Sequence, residues 1–222
     1  MRSWPVKLAP GICVAVSVAS LFASAMPSHA QASDQTLREW GECTGRDGPI
    51  PDLIIEGCSA IIQLGRENQR QLATAFNNRG FAYKLKGDYA RALQDYNQAI
   101  RLNHNNANAY NNRGMIYKIR GEYDQAIEDY SQAIWLSNND YPSAFFNRAK
   151  SYFAKGQYDR ALADFDTVLR FNPRNPDGLY GRGLAEIRSG DTTAGTADMA
   201  AAKAINPNIV EEYEQSGSAT KN

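Results

Sequence analysis

Four glycines recur at almost constant spacing along this chain. Gly87, Gly121, Gly156 and Gly190 are separated by 34, 35 and 34 residues. A small residue stands seven positions before each of them, and an aromatic residue stands nine positions after the first three. A period of this length indicates an array of supersecondary units, none of which can bury its apolar face alone. The chain is therefore predicted to form a stack of equivalent units.

Each unit has the apolar pattern of two helices joined at the repeating glycine. The residues at helical spacing in the first unit are Phe76, Gly80 and Tyr83 before the glycine, and Ala92, Tyr96 and Ala99 after it. Glycine suits the end of the first helix because it readily adopts a left-handed backbone. The predicted units are 73–106, 107–140, 142–175 and 176–209. The one extra residue falls in the polar stretch 137–143, where a loop tolerates it.

This layout resembles the tetratricopeptide repeat family, in which a helix–turn–helix unit of 34 residues is stacked into a solenoid. The resemblance covers residues 73–209, with many aligned positions recurring four times. It implies an all-α fold, a right-handed α-α superhelix of antiparallel helix pairs. It also implies a protein-binding scaffold or adaptor rather than an enzyme.

The segments on either side of the four units are predicted to cap the stack. Within residues 31–72, Pro51–Leu64 repeats the second-helix pattern after a short helix around residues 35–43, which together form a degenerate half-unit. Residues 210–222 continue a fifth unit that starts at Ile209, with Tyr213 in the place of Phe76. The polar end, residues 215–222, is expected to be a disordered tail.

The first thirty residues have the three-part layout of a secretory signal peptide. Arg2 and Lys7 precede an apolar run, and small residues at Ser28 and Ala30 predict cleavage before Gln31. Two neighbouring small-residue sites compete for cleavage, and an uncleaved membrane anchor is the alternative. The mature chain resembles small exported tetratricopeptide proteins of Gram-negative bacteria. We therefore expect it in the periplasm or secreted, with no membrane attachment after cleavage.

Removal of residues 1–30 leaves two cysteines, Cys43 and Cys58. An even pair in an exported chain predicts a disulfide bond, which here would join the two helices of the half-unit. Two buried free thiols are the alternative.

Every unit also contains an arginine followed by an aspartate sixteen positions later. The pairs are Arg79 and Asp95, Arg113 and Asp129, Arg148 and Asp164, and Arg182 and Asp198. One member stands on the first helix and the other on the second, so a structural ion pair between helices or between units is predicted.

Asparagine recurs beside the arginine in three units, as Asn78, Asn112 and Asn147. In relatives with such a ladder on the concave face, the side-chain amide binds the backbone of an extended peptide, since it offers both donors and an acceptor. The other residues predicted on that face are Asn77, Phe81, Lys84, Asn111, Met115, Lys118, Phe146, Lys150, Phe153 and Tyr180. The alternative is that the asparagines are simply polar residues on an exposed helix face.

Some members of the family bind a chaperone's terminal carboxylate with a clamp of lysine and arginine. The corresponding positions here carry Asn77, Phe81, Ser143 and Asn147, so the cations of that clamp are missing. Chaperone tails are therefore not expected as ligands.

Composition and motifs favour a protein or peptide partner over other classes. The 24 basic and 24 acidic residues give no bias towards nucleic acid. His104 is the one histidine after cleavage, and no metal, cofactor or catalytic motif is present. An accessory or regulatory subunit of a cell-envelope enzyme or secretion complex remains the alternative function, and direct action on envelope polymers a more distant one. The apolar ends of the stack leave self-association open.

Overall fold

The computed structural model describes residues 29–46 and 48–218, and within these ranges every regular element is an α-helix. The helices are α1 (His29–Cys43), α2 (Pro51–Leu64), α3 (Gln69–Leu85), α4 (Tyr89–Leu102), α5 (Ala107–Ile119), α6 (Tyr123–Leu136), α7 (Pro142–Ala154), α8 (Tyr158–Phe171), α9 (Pro176–Ser189), α10 (Thr192–Ile205) and α11 (Ile209–Ser218). Consecutive helices pack as pairs, and each pair packs on the next. The predicted fold class, an all-α solenoid of helix pairs, is confirmed.

The two helices of each unit lie on different sides of the stack. The first helices α3, α5, α7 and α9 each contact the next first helix. In the part of the chain that the structure describes, the second helices α4, α6, α8 and α10 do not contact one another. The stack is therefore curved with the first helices on its inside. We call the surface formed by α3, α5, α7 and α9 the inner face.

The repeating glycines end the first helices as predicted. Gly87, Gly121, Gly156 and Gly190 have φ angles of 76°, 76°, 72° and 106°. In each unit the amide of the residue after the glycine donates to a carbonyl five positions back, with N–O distances of 2.9 Å. Such a bond satisfies a carbonyl that the end of the helix leaves without an intrahelical partner. The same sharp turn therefore recurs in all four units.

Small residues allow an aromatic ring to pack directly on the opposite helix. A Cβ atom at Gly80 would lie 2.8 Å from Cε1 of Tyr96, and one at Gly114 would lie 2.9 Å from Cε1 of Tyr130. Both rings are fully buried. Since atoms cannot approach this closely without displacement, any larger side chain at these positions would push the two helices apart.

The extra residue of the second spacing, between Gly121 and Gly156, lies in a loop. The connection between α6 and α7 spans residues 137–141, whereas the equivalent connections are residues 103–106 and 172–175. Asn138 and Asn139 adopt left-handed backbones with φ of 53° and 63°. Asparagine tolerates this conformation better than most residues, so the insertion is absorbed without altering either helix.

The terminal helices are longer than predicted. Helix α1 begins at His29, six residues before the expected start, and it packs on α2 as a complete helix pair rather than a half-unit. Residues 29–34 contain neither glycine nor proline, the residues that disfavour a helix most strongly. Helix α11 continues to Ser218, into the segment predicted to be a tail.

Two parts of the predicted organisation lie outside the described residues. They are residues 1–28 of the predicted signal peptide and residues 219–222 of the predicted tail. None of the described helices combines the length and apolar character needed to cross a membrane.

The two cysteines of the first helix pair are joined. The structure has a disulfide between Cys43, the last residue of α1, and Cys58 in the middle of α2. Both residues are buried in a small core with Ile54 and Ile61. The bond therefore holds the end of α1 against α2 at the beginning of the stack.

Removal of this bond should destabilise the chain. Because the bond closes a loop with a sequence separation of 15 residues, we expect a reductant to lower the free energy of unfolding by about 3 kcal/mol. Urea denaturation followed by circular dichroism, with and without the reductant, measures the change. The Cys43→Ser, Cys58→Ser double variant is the control, since a reductant should leave its unfolding unchanged. Equal midpoints for the oxidised and reduced parent chain would contradict the prediction.

Candidate functional site

Amide side chains form a hydrogen-bonded line across the start of the inner face. Asn78 Nδ2 donates to the main-chain oxygen of Cys43 at 3.2 Å, and Asn78 Oδ1 accepts from Asn77 Nδ2 at 3.2 Å. On the next first helix, Asn112 Nδ2 donates to Asn77 Oδ1 at 3.0 Å. Each ladder asparagine thus donates back to the preceding unit, and the line begins at the disulfide.

A separate set of hydrogen bonds joins α5 to the ladder asparagine of α7. Asn147 Nδ2 lies 3.5 Å from Asn111 Oδ1, and Asn147 Oδ1 accepts from Lys118 Nζ at 3.0 Å. Asn111 itself is buried, with 6% of its surface exposed, and its Nδ2 lies 4.0 Å from the sulfur of Met115. Asn111 was predicted to contact a ligand; the structure corrects this, because packing between α5 and α7 covers its amide.

The three ladder asparagines keep hydrogen-bonding capacity for a ligand. Asn78, Asn112 and Asn147 are each half-buried, and each uses one N–H group in the bonds just described. A primary amide has two N–H groups and a carbonyl oxygen with two lone pairs. The line is therefore held in place by the protein while one N–H group of each amide has no partner among the described residues.

The fourth unit lacks the asparagine for a steric reason. Gly181 occupies the ladder position, and a Cβ atom there would lie 2.6 Å from ring atoms of Phe165 and 2.8 Å from Oη of Tyr213. Tyr213 extends from α11, and its ring centroid lies 5.0 Å from that of Tyr180 and 6.4 Å from that of Phe146. Tyr213 thus stands where the ladder would continue, and it ends the line of amides.

Of three aromatic residues predicted to line the groove, Tyr180 is buried and the other two also pack against neighbouring rings. Tyr180 is buried beneath α11, with 5% of its surface exposed, so it is removed from the predicted contact surface. The Phe146 ring packs edge-on against Phe165, with centroids 5.9 Å apart. The Phe153 ring lies 5.4 Å from that of Tyr158 on the next helix. Phe146 and Phe153 are only half-buried, so they still contribute apolar surface beside the amides.

Three lysines lie on the inner face, one on each of the first helices α3, α5 and α7. We call Lys84, Lys118 and Lys150 the lysine row. Lys84 Nζ lies 4.5 Å from the ring centroid of Phe81, and Lys150 Nζ lies 4.4 Å from that of Tyr213. Burial, together with repulsion from Lys150 and Lys84, lowers the pKa of Lys118 from 10.5 to about 7. Burial also lowers the pKa values of Lys84 and Lys150. The row is a concentrated and poorly solvated positive charge.

The predicted arginine–aspartate pairs come together away from this row. Arg113 Nε and Nη2 donate to the two carboxylate oxygens of Asp129 at 2.8 and 2.7 Å. Arg113 Nη1 donates to Asn97 Oδ1 of the preceding unit at 2.7 Å. The other pairs have the same two bonds at 2.6 to 3.0 Å, and they are Arg79–Asp95, Arg148–Asp164 and Arg182–Asp198. Each pair therefore joins both helices of its own unit and reaches the unit before it.

Sequence reasoning missed the acceptor in the preceding unit, although a signal was present. The acceptors are Ser59 for Arg79, Asn97 for Arg113, Ser131 for Arg148 and Asp166 for Arg182. Each one directly follows the buried cysteine or aromatic residue of a second helix. A polar residue at that position of the first helix pair and of the first three units could have indicated a contact with the next unit.

Side chains that could bind a metal ion do not form a group in the part of the chain that the structure describes. Among residues 29–46 and 48–218, no three histidine, cysteine, aspartate or glutamate side chains are grouped so that they could hold a metal ion. His104 is exposed in the turn after α4.

Comparison with known families matches the repeats. Residues 73–106 and 107–140 match the tetratricopeptide repeat family, and residues 149–190 match a second family of the same kind, described as TPR repeat. No curated protein matches the sequence.

Solved structures share the fold. MamA is 18% identical with a TM-score of 0.65, and the alignment covers 81% of this chain and 96% of MamA. YrrB, a TPR protein with an unusual peptide-binding site, is 20% identical with a TM-score of 0.60, over 74% of this chain and 84% of YrrB. The second TPR domain of human RPAP3, in complex with an HSP70 peptide, is 30% identical with a TM-score of 0.51. That alignment covers 53% of this chain and 98% of the domain.

The arginine–aspartate pairs should be structural. Arg113→Ala removes the partner of the Asp129 carboxylate, whose side chain is 4% exposed in the parent chain. We expect the free energy of unfolding to fall by about 3 kcal/mol, as measured by urea denaturation. The matched control is Arg101→Ala, an exposed arginine on α4, which should change it by less than about 0.5 kcal/mol. Loss of partner binding with unchanged stability would contradict a structural role.

The glycine at the end of the ladder should be required for packing. Gly181→Ala places a methyl group against the Phe165 ring and the Tyr213 hydroxyl, so we expect a loss of about 1–3 kcal/mol in the free energy of unfolding. Gly41→Ala is the control, since its Cβ would meet nothing within 4 Å. Alanine also favours a helix, so that variant should be unchanged or more stable by up to about 1 kcal/mol. Equal thermal midpoints for the two variants would show that the Gly181 site is not closely packed.

Proposed function

Because the chain belongs to the tetratricopeptide repeat family, we propose that it is a non-catalytic scaffold that holds an extended segment of a partner protein on its inner face. The observation that carries this proposal is the line of Asn78, Asn112 and Asn147, one on each of three successive first helices. A main-chain amide and carbonyl are the natural partners of a side-chain amide. The site therefore favours the backbone of a polypeptide, whatever its sequence.

The spacing of the helices suits an extended chain. Packed helices lie about 8–10 Å apart, and an extended chain advances about 3.3 Å per residue. The three asparagines would therefore meet the ligand backbone at about every third residue, over a segment of about six or seven residues. Tyr213 closes the far end, so the ligand would lie across α3, α5 and α7.

Two of the similar structures support a peptide as the ligand. The RPAP3 domain is in complex with a peptide, and YrrB is described as having a peptide-binding site. Their ligands do not identify the partner of this chain. For that partner the evidence is the inner face itself, with its amides, its half-buried rings and its cations.

We further propose that the mature chain begins near Gln31 and acts in an oxidising compartment, the periplasm or the cell exterior of a Gram-negative bacterium. Two features support this location: the signal-like first thirty residues and the disulfide between Cys43 and Cys58. Fractionation of cells that express the whole chain, followed by mass measurement of the product, tests both the location and the cleavage.

The asparagine ladder should be required for binding. Affinity capture with residues 31–222 from an envelope extract identifies bound proteins, and titration of the purified partner then measures its affinity. We expect the triple variant Asn78→Ala, Asn112→Ala, Asn147→Ala to bind at least tenfold more weakly, since it loses three sets of hydrogen bonds of about 1 kcal/mol each.

The control for that experiment replaces exposed asparagines in the turns after α4 and α10, as Asn105→Ala with Asn208→Ala, and should bind normally. Unchanged affinity in the triple variant would refute the ladder as the binding site. Capture of a single stoichiometric enzyme would assign the chain to the accessory-subunit role instead. Turnover of an envelope polymer by the purified chain, lost on mutation of an inner-face carboxylate, would refute the non-catalytic proposal.

A further inference from the structure

We propose that the lysine row makes the inner face selective for acidic segments, whose glutamate and aspartate side chains pair with Lys84, Lys118 and Lys150 while their backbone meets the ladder asparagines. This inference rests on the proposed function and names the chemistry of its ligand. It differs from recognition of a chain terminus, because the cations bind side chains along the segment.

Two lysines of the inner face, Lys84 and Lys118, differ from Lys86 and Lys155 in how their charge is compensated. On other parts of the surface, Lys86 pairs with Asp52 and Lys155 pairs with Asp124. Lys84 and Lys118 form no ion pair with any carboxylate of residues 29–46 and 48–218. Both residues are half-buried as well. Their charge is therefore neither hydrated as fully as an exposed lysine nor neutralised by the protein.

Lys118 is the centre of the row. Its ammonium group has three N–H donors, and its one bond to the residues that the structure describes is to Asn147 Oδ1 at 3.0 Å. The charged groups that act on it are Lys84 from α3 and Lys150 from α7, both positive, and α4 and α6 bring none to it. A carboxylate placed here would accept the remaining donors and would reduce the repulsion among the three cations at once.

The arrangement favours an acidic polypeptide over a single small anion. The three lysines lie on three successive helices, so the row spans about 16–20 Å, the width of two helix–helix spacings. One carboxylate cannot reach across that distance, whereas an extended acidic segment presents several. The same segment also supplies main-chain amides and carbonyls to the asparagines beside the row, which neither a nucleic-acid strand nor a lipid surface does.

Binding of such a segment should depend on pH in a defined direction. The pKa of Lys118 is about 7 in the free protein, and a bound carboxylate would raise it. Lys118 is therefore about half charged at pH 7 and almost fully charged at about pH 6, and binding above pH 7 must first protonate it. By linkage, the affinity should fall about tenfold between pH 6 and pH 8. Asp177 of α9 acts on Lys150 at the far end of the row.

The experiment uses residues 31–222 and a fluorescein-labelled peptide of twelve glutamates with an amidated C-terminus, followed by fluorescence anisotropy. Peptides of twelve glutamines and of twelve lysines test charge, and a twelve-residue single-stranded oligonucleotide and phosphatidylglycerol vesicles test the other anions. The variants are Lys84→Met and Lys118→Met. The matched control is Lys203→Met, an exposed lysine on α10. Thermal unfolding of every variant confirms that it is folded.

We expect the glutamate peptide to bind at least tenfold more tightly than the glutamine peptide. Each inner-face variant should weaken it about fivefold to tenfold, whereas Lys203→Met should not. The pH dependence should disappear in Lys118→Met, which a merely structural role of that lysine would not produce. Because methionine removes a buried charge, thermal stability should be unchanged or higher.

Three results would overturn the inference: equal binding of the glutamate and glutamine peptides, unchanged binding in both lysine variants, or tighter binding of the oligonucleotide or the vesicles. If a captured partner still depends on the three asparagines in any of these cases, the groove binds polypeptide and only the selectivity for acidic segments is wrong. If the asparagine variant is also without effect, the proposed function itself is wrong.

Discussion

In the first two units, the contact of an aromatic ring with a glycine sets the distance between the two helices. Tyr96 against Gly80 and Tyr130 against Gly114 leave no room for a Cβ atom, so the helices can pack at only one separation. Since each ring is fully buried, a change in that separation would open a cavity in the centre of the unit. The positions of the first helices, and with them the inner face, depend on this contact.

The arginine–aspartate pairs extend the same constraint from one unit to the next. Arg113 binds Asp129 with two bonds and Asn97 of the preceding unit with a third, so a rigid planar group spans three helices. Aromatic rings of Tyr110 and Tyr117 lie 5.5 and 5.8 Å from its guanidinium carbon. A guanidinium group held in this way fixes the angle between successive units. That angle determines how far the stack curves and how the three ladder asparagines line up.

The inner face combines amide groups that are hydrogen-bonded within the protein with lysines whose charge is not paired with a carboxylate of the described residues. The amides of Asn78, Asn112 and Asn147 are oriented by bonds within the protein, so little ordering is needed when a ligand arrives. The charge of Lys84 and Lys118, by contrast, is concentrated without a carboxylate partner in the described chain. The buried aromatic rings and the arginine–aspartate pairs between the helices stabilise the fold. The surface that those contacts leave exposed is the proposed binding surface.

The sequence by itself determined the units, their helices and their turns, because a strict period assigns every residue a place relative to the repeating glycine. It also predicted the pairing of Arg113 with Asp129, since both belong to one unit. Only the tertiary structure decided contacts between different units. The burial of Asn111 and the position of Tyr213 over Gly181 depend on how far one unit is rotated against the next, and so does the crowding of charge around Lys118. That rotation results from side-chain packing summed over all helices, and no local pattern of residues records it.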